Sequence, residues 1–131
     1  MRSTLLVTLS LTLALSGCSY HYGLQAVALE GRVAFVPQKA KNTGCFSEFK
    51  VTGEAGEVIW ELEAGQYLPP PCENKFPIIY GSAPRGMTET VKARPLRDGV
   101  LYRAEGWDGD SYSGAFRVRG RAGVDNLETA E

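Results

Sequence analysis

The sequence predicts an all-β fold, a single small antiparallel β-sandwich, and three observations carry that prediction. Stretches of about four to eight residues rich in Val, Ile, Phe, Tyr and Trp recur along the chain. Turn formers separate them, with 15 Gly and 7 Pro among 131 residues, which suits a turn-rich β protein better than a helical bundle. No long run has the period of an amphipathic helix. Basic and acidic residues balance at 14 against 15, too evenly for a protein that binds nucleic acid by neutralising phosphates.

The chain opens with a short positive start, Met1-Arg2, followed by an apolar run from Leu5 to Leu15 and then Leu15-Ser16-Gly17-Cys18. This is the layout of an export signal. The run is about 12 residues, short of the roughly 20 that a membrane-crossing helix needs. The four residues Leu15 to Cys18 resemble the bacterial lipobox: an aliphatic residue, two small ones and the Cys that receives lipid. That resemblance implies cleavage after Gly17, acylation of Cys18 on sulfur and nitrogen, and attachment to a membrane through acyl chains. Ser19 after the Cys implies the outer membrane, facing the periplasm, in the bacterial sorting scheme. The alternative is an ordinary export signal whose cut lies near a Cys.

The expected organisation is a signal peptide at 1–17, a lipidated tether at 18–25, a β domain at 26–119 and a polar, fraying tail at 120–131. Removing the first 17 residues leaves 114, enough for one domain at most. Strands are expected near 26–36, 46–52, 57–63, 76–81, 89–94, 100–107 and 112–119. In 57–63, Val58, Trp60 and Leu62 alternate with Glu57, Glu61 and Glu63, leaving only Ile59 out of pattern. In 46–52, Phe49 and Val51 share a face with Cys45, opposite Glu48 and Lys50. The last two strands form a hairpin. A three-residue loop of Asp108, Gly109 and Asp110 sets Val100 opposite Val118, Tyr102 opposite Phe116 and Gly106 opposite Tyr112, collecting the apolar residues on one face. A two-residue Asp-Gly turn would mix Arg103 and Glu105 into that face.

Cys45 and Cys72 remain once Cys18 is assigned to lipid, and in an exported chain a disulfide is the default. The bridge would tie the stiff Pro69-Pro70-Pro71 arm to the second expected strand. A buried Trp60 fifteen residues after a strand-borne Cys45 is similar to immunoglobulin domains. Because Cys72 follows the Trp60 strand directly, the likeness is to immunoglobulin- or fibronectin-like architecture and not to the family. The segment from Phe76-Pro77-Ile78-Ile79-Tyr80-Gly81 through Pro84, Gly86, Pro95, Gly99, Tyr102, Gly114 and Phe116 resembles small exported bacterial β-domain lipoproteins without assigned activity, which implies fold kinship and no chemistry.

Groups that carry chemistry are sparse. His21 is the sole histidine, so a His-based triad or zinc site has nothing to build on, and a tether residue is the simpler expectation. The acids alternate outward or flank turns, unlike a convergent glycosidase pair. Asp108 and Asp110 begin like a calcium loop, but Ser113 stands where that loop requires Gly and Arg119 where it requires Glu. No metal and no cofactor is expected. Arg117, Arg119 and Arg121 share parity and, with Arg103, form an outer stripe able to meet an acidic glycan or headgroup. Trp107 at the hairpin tip and Tyr67 are the aromatic candidates for partner contact.

The expectation is therefore a membrane-anchored, non-catalytic binding or structural accessory module of the bacterial envelope, with an envelope protein or glycan as partner and no nucleic acid. Two rivals accompany it. One is a lipid-anchored inhibitor of a secreted hydrolase such as lysozyme, because Tyr102, Trp107 and Ser113-Gly114 are loosely similar to the features of such inhibitors, although the Cys placement departs from theirs. The other is a carboxylate-dependent enzyme.

Overall fold

The computed structural model describes residues 20–39, 45–65, 72, 75–120 and 123–127. The fold is all-β, with nine strands and no helix among the described residues. In chain order they are β1 (His21–Leu29), β2 (Arg32–Pro37), β3 (Glu48–Thr52), β4 (Val58–Ala64), β5 (Ile78–Ile79), β6 (Met87–Val91), β7 (Leu101–Trp107), β8 (Ser111–Arg119) and β9 (Gly123–Leu127). They form one sheet in the order β5-β2-β1-β8-β7-β3-β4-β6, with β9 also on β8. The sheet curls into a half-barrel that folds over itself. Phe35 of β2 meets both Phe49 of β3 and Phe116 of β8, each at 5.3 Å between ring centroids, so the two arms of the curl pack like the layers of a sandwich.

The hairpin register follows the three-residue loop. Tyr102 faces Phe116, Gly106 faces Tyr112, and Trp107–Ser111 closes the ladder. Gly109 supplies a positive φ of 102° in that loop. Asp108 Oδ1 accepts from the Asp110 N–H at 3.0 Å and Asp108 Oδ2 from the Tyr112 hydroxyl at 3.0 Å, so this acid serves the turn. Phe49, Val51, Trp60 and Leu62 are fully buried as their alternation requires. Ile59, out of pattern in the sequence, sits where the β3–β4 register shifts: Val51 pairs Trp60 but Thr52 pairs Val58. The bulge turns Ile59 inward beside Trp60. Cys45 and Cys72 form a disulfide with Cα atoms 6.0 Å apart. Pro69 to Pro71 lie outside the described residues, as do the signal segment, Cys18, Tyr67 and Arg121.

Three expectations are corrected. The single strand at 26–36 is a hairpin, β1 to β2, turning at Glu30-Gly31, where both residues have positive φ (51° and 76°) and Leu29 pairs Arg32. This is a two-residue turn whose twist matches the strands. The tether does not extend to residue 25, because β1 begins at His21 and pairs in parallel with β8 over His21 to Gly23. The tail does not fray at 123–127, since β9 pairs antiparallel with β8 from Gly123 to Leu127. The three central residues of β9 are held differently: Val124 packs against the core, Asp125 pairs with Arg119, and Asn126 bonds the backbone of β1. A strand held by three unlike contacts shows no apolar period.

β1 therefore has two partners in succession. Its first three residues run beside β8, and from Leu24 onward it turns away to pair with β2. Gly114 permits the crossing, because a Cβ there would come 2.2 Å from the Leu24 carbonyl oxygen.

Candidate functional site

The outward face of the sheet carries two adjacent rungs set by strand register. The first runs Glu63, Glu48, Trp107, Ser111 and His21 across β4, β3, β7, β8 and β1. The second runs Glu61, Lys50, Glu105, Ser113 and Gly23 across the same strands. Directly paired residues share a face, so these side chains converge on one side of the sheet. Between them lies an open cleft of about 350 Å³, lined by Trp107, His21, Glu48, Lys50, Glu61 and Glu105 over a floor that includes Phe49, Gly106 and Tyr112.

His21 is fixed at one end. Its Nδ1 lies 2.9 Å from Ser111 Oγ and its Nε2 2.9 Å from Ser113 Oγ. A neutral imidazole donates to one hydroxyl and accepts from the other, so the ring is oriented by two serines and not by a carboxylate. The expected tether residue is thus a structural clasp between β1 and β8. Tyr20 continues it, donating its N–H to Asp110 Oδ1 at 3.2 Å and accepting from the Ser111 N–H at 2.9 Å.

The wall opposite is charged but largely paired. Lys50 Nζ lies 3.5 Å from Glu105 Oε2, and Thr90 Oγ1 donates to Glu61 Oε1 at 2.9 Å. Among the described residues, the Glu48 carboxylate and the Trp107 indole N–H have no hydrogen-bond or ion-pair partner. Trp107 is 41% exposed, although Trp60 is fully buried and donates its indole N–H to Glu89 Oε2 at 2.9 Å. The two tryptophans differ because strand parity aims Trp60 into the core and Trp107 out of it.

The other candidates scatter. Arg117 and Arg119 lie on the outer face farther along β8, where β9 brings Asp125 opposite Arg117 in register and into an ion pair with Arg119. Tyr102 is buried and its hydroxyl accepts from the Arg97 N–H at 2.8 Å, while the Ser113 hydroxyl is engaged by His21. Of the features similar to hydrolase inhibitors, Tyr102 and Ser113 are buried and Trp107 is exposed. The sequence identified Trp107 but not its companions. Glu48, Lys50, Glu61 and Glu105 look like an ordinary solvated strand face until five strands are placed side by side.

Comparison of the chain with protein-family models, with curated proteins and with solved structures finds no match. What the geometry defines is a small all-β half-barrel bearing an open cleft with one exposed aromatic wall and charged side chains around it.

Proposed function

We propose that this protein is a membrane-anchored, non-catalytic binding module of the bacterial envelope, held to the outer membrane through acyl chains on Cys18, and that it binds through the outer-face cleft. The observation that carries the reading is Trp107: an indole standing exposed in the wall of a cleft, on the paired ladder of β7, is the arrangement of an interface anchor. His21 serves the fold beside this cleft: its two ring nitrogens meet the Ser111 and Ser113 hydroxyls and clasp β1 to β8. The lipobox-like Leu15-Ser16-Gly17-Cys18 supplies the anchor, since two or three acyl chains give stable attachment where one does not.

The test has two arms. Labelled palmitate should enter the wild-type protein and be absent from Cys18→Ala; retention of the label in that variant removes the anchor. A photo-crosslinking residue placed at Glu48 should capture a defined envelope component in intact cells, and Trp107→Ala should reduce that capture. Capture that is indifferent to Trp107 removes the cleft as the binding surface.

A further inference from the structure

We infer that the outer-face cleft takes an uncharged pyranose unit, as part of a larger glycan; this rests on the cleft being the binding surface. The cleft offers one exposed flat apolar element, the Trp107 indole, above a floor that includes Phe49 and Tyr112, with charged side chains around it. A ligand matched to it has one ring-sized apolar face and a polar perimeter, which describes a sugar whose axial C–H groups stack on the indole while its hydroxyls point outward. The perimeter supplies both halves of the required hydrogen bonding. The Lys50 ammonium and the indole N–H donate, and the Glu48 carboxylate accepts, with two coplanar oxygens that suit a pair of neighbouring hydroxyls.

Charge narrows the class further. Three carboxylates face one ammonium in the lining, so an acidic sugar is repelled. A cationic ligand is served poorly too, because Glu105 already faces Lys50 and Glu61 already accepts from Thr90, leaving Glu48 as the one uncommitted carboxylate among the described residues of the lining. The volume, about 350 Å³, falls at the small end of the range of roughly 300 to 1,000 Å³ for small-molecule sites. All the named groups stand on paired strands, so little ordering is needed on binding.

The full-length protein, purified from membranes in detergent, should be titrated calorimetrically with cellotriose, N,N′,N″-triacetylchitotriose and trigalacturonate. Saturable binding of at least one of the two uncharged trimers is expected, with none for trigalacturonate. Trp107→Ala should weaken that binding at least about tenfold, and Trp107→Phe, which keeps a stacking face, should retain most of it. Trp107 lies outside the core, so both variants should unfold at the wild-type denaturant midpoint. Absence of binding by both uncharged trimers at millimolar concentration overturns the inference, as does equal or tighter binding of trigalacturonate, or affinity unchanged in Trp107→Ala. If cellular capture from Glu48 still depends on Trp107 while both sugars fail, the binding-module reading stands and the sugar assignment alone falls.

Discussion

The side-chain amide of Asn126 holds both backbone groups of Ala26: its Nδ2 donates to the Ala26 carbonyl at 2.9 Å, and its Oδ1 accepts from the Ala26 N–H at 2.7 Å. One side chain on β9 thereby does for β1 what a neighbouring strand does elsewhere, at the point where β1 has left β8. Ala26 is buried, so its polar groups have no water to fall back on. Asn126→Ala should lower the unfolding free energy by about 1 to 3 kcal/mol, read from urea titration, the cost of stranding buried backbone groups. Asn126→Asp should be nearly as damaging, because a carboxylate cannot donate to the Ala26 carbonyl. Wild-type stability in both variants would show that the bridge contributes nothing.

Gly114→Ala should be among the most harmful small changes in the chain. The added methyl would meet the Leu24 carbonyl oxygen and the backbone behind it, neither of which can rotate aside. A loss of about 1 to 3 kcal/mol or more is expected. Gly56→Ala is the informative control: it lies in an open turn where nothing approaches its Cβ, and there the cost comes only from its positive φ.

Reduction of the Cys45–Cys72 disulfide should destabilise the domain by roughly 3 to 4 kcal/mol, the chain-entropy value for a loop of its length. Urea midpoints with and without reductant measure it, and Cys45→Ala with Cys72→Ala should reproduce the reduced value. Phe46 follows Cys45 and packs on Phe49, Phe76 and Tyr112, so loosening should be felt first in that aromatic cluster.

Stability should also fall at high pH through Tyr80. Burial, with a smaller contribution from nearby Tyr102, pushes its phenol from 10.0 up to about 12. The folded state therefore favours the protonated form. The stability this contributes is present below pH about 10 and is lost as pH rises through about 12, because in that window the unfolded chain has released the proton and the fold has not. Tyr80→Phe should flatten the decline between those values in denaturation curves, and an unchanged slope would assign the loss to other groups.

The fold was legible where one physical rule acted alone. Period-two burial announced Phe49, Val51, Trp60 and Leu62, and the demand for a single apolar face chose the three-residue loop at Asp108 to Asp110 over a tighter turn. Legibility failed where several rules shared a few residues. The Glu30-Gly31 turn is hidden because Glu at positive φ is an uncommon choice and the flanking apolar residues read straight through it. β9 is hidden because Val124, Asp125 and Asn126 are held by packing, charge and a side-chain amide in turn. At the cleft, Trp107 could be singled out from its place at a hairpin tip. Its neighbours could not, since Glu105 and Trp107 reach Glu48, Lys50 and Glu61 only through the pairing of β7 with β3, which crosses the sequence.

The double partnership of β1 sets the timetable of folding. His21 meets Ser111 across a separation of 90 residues, so the opening rungs of β1 close only when a strand far along the chain is in place. Until then only the β2 side of the strand can be satisfied, and its opening residues stay a bare edge. High contact order of this kind slows folding and prolongs the time during which unpaired backbone is exposed.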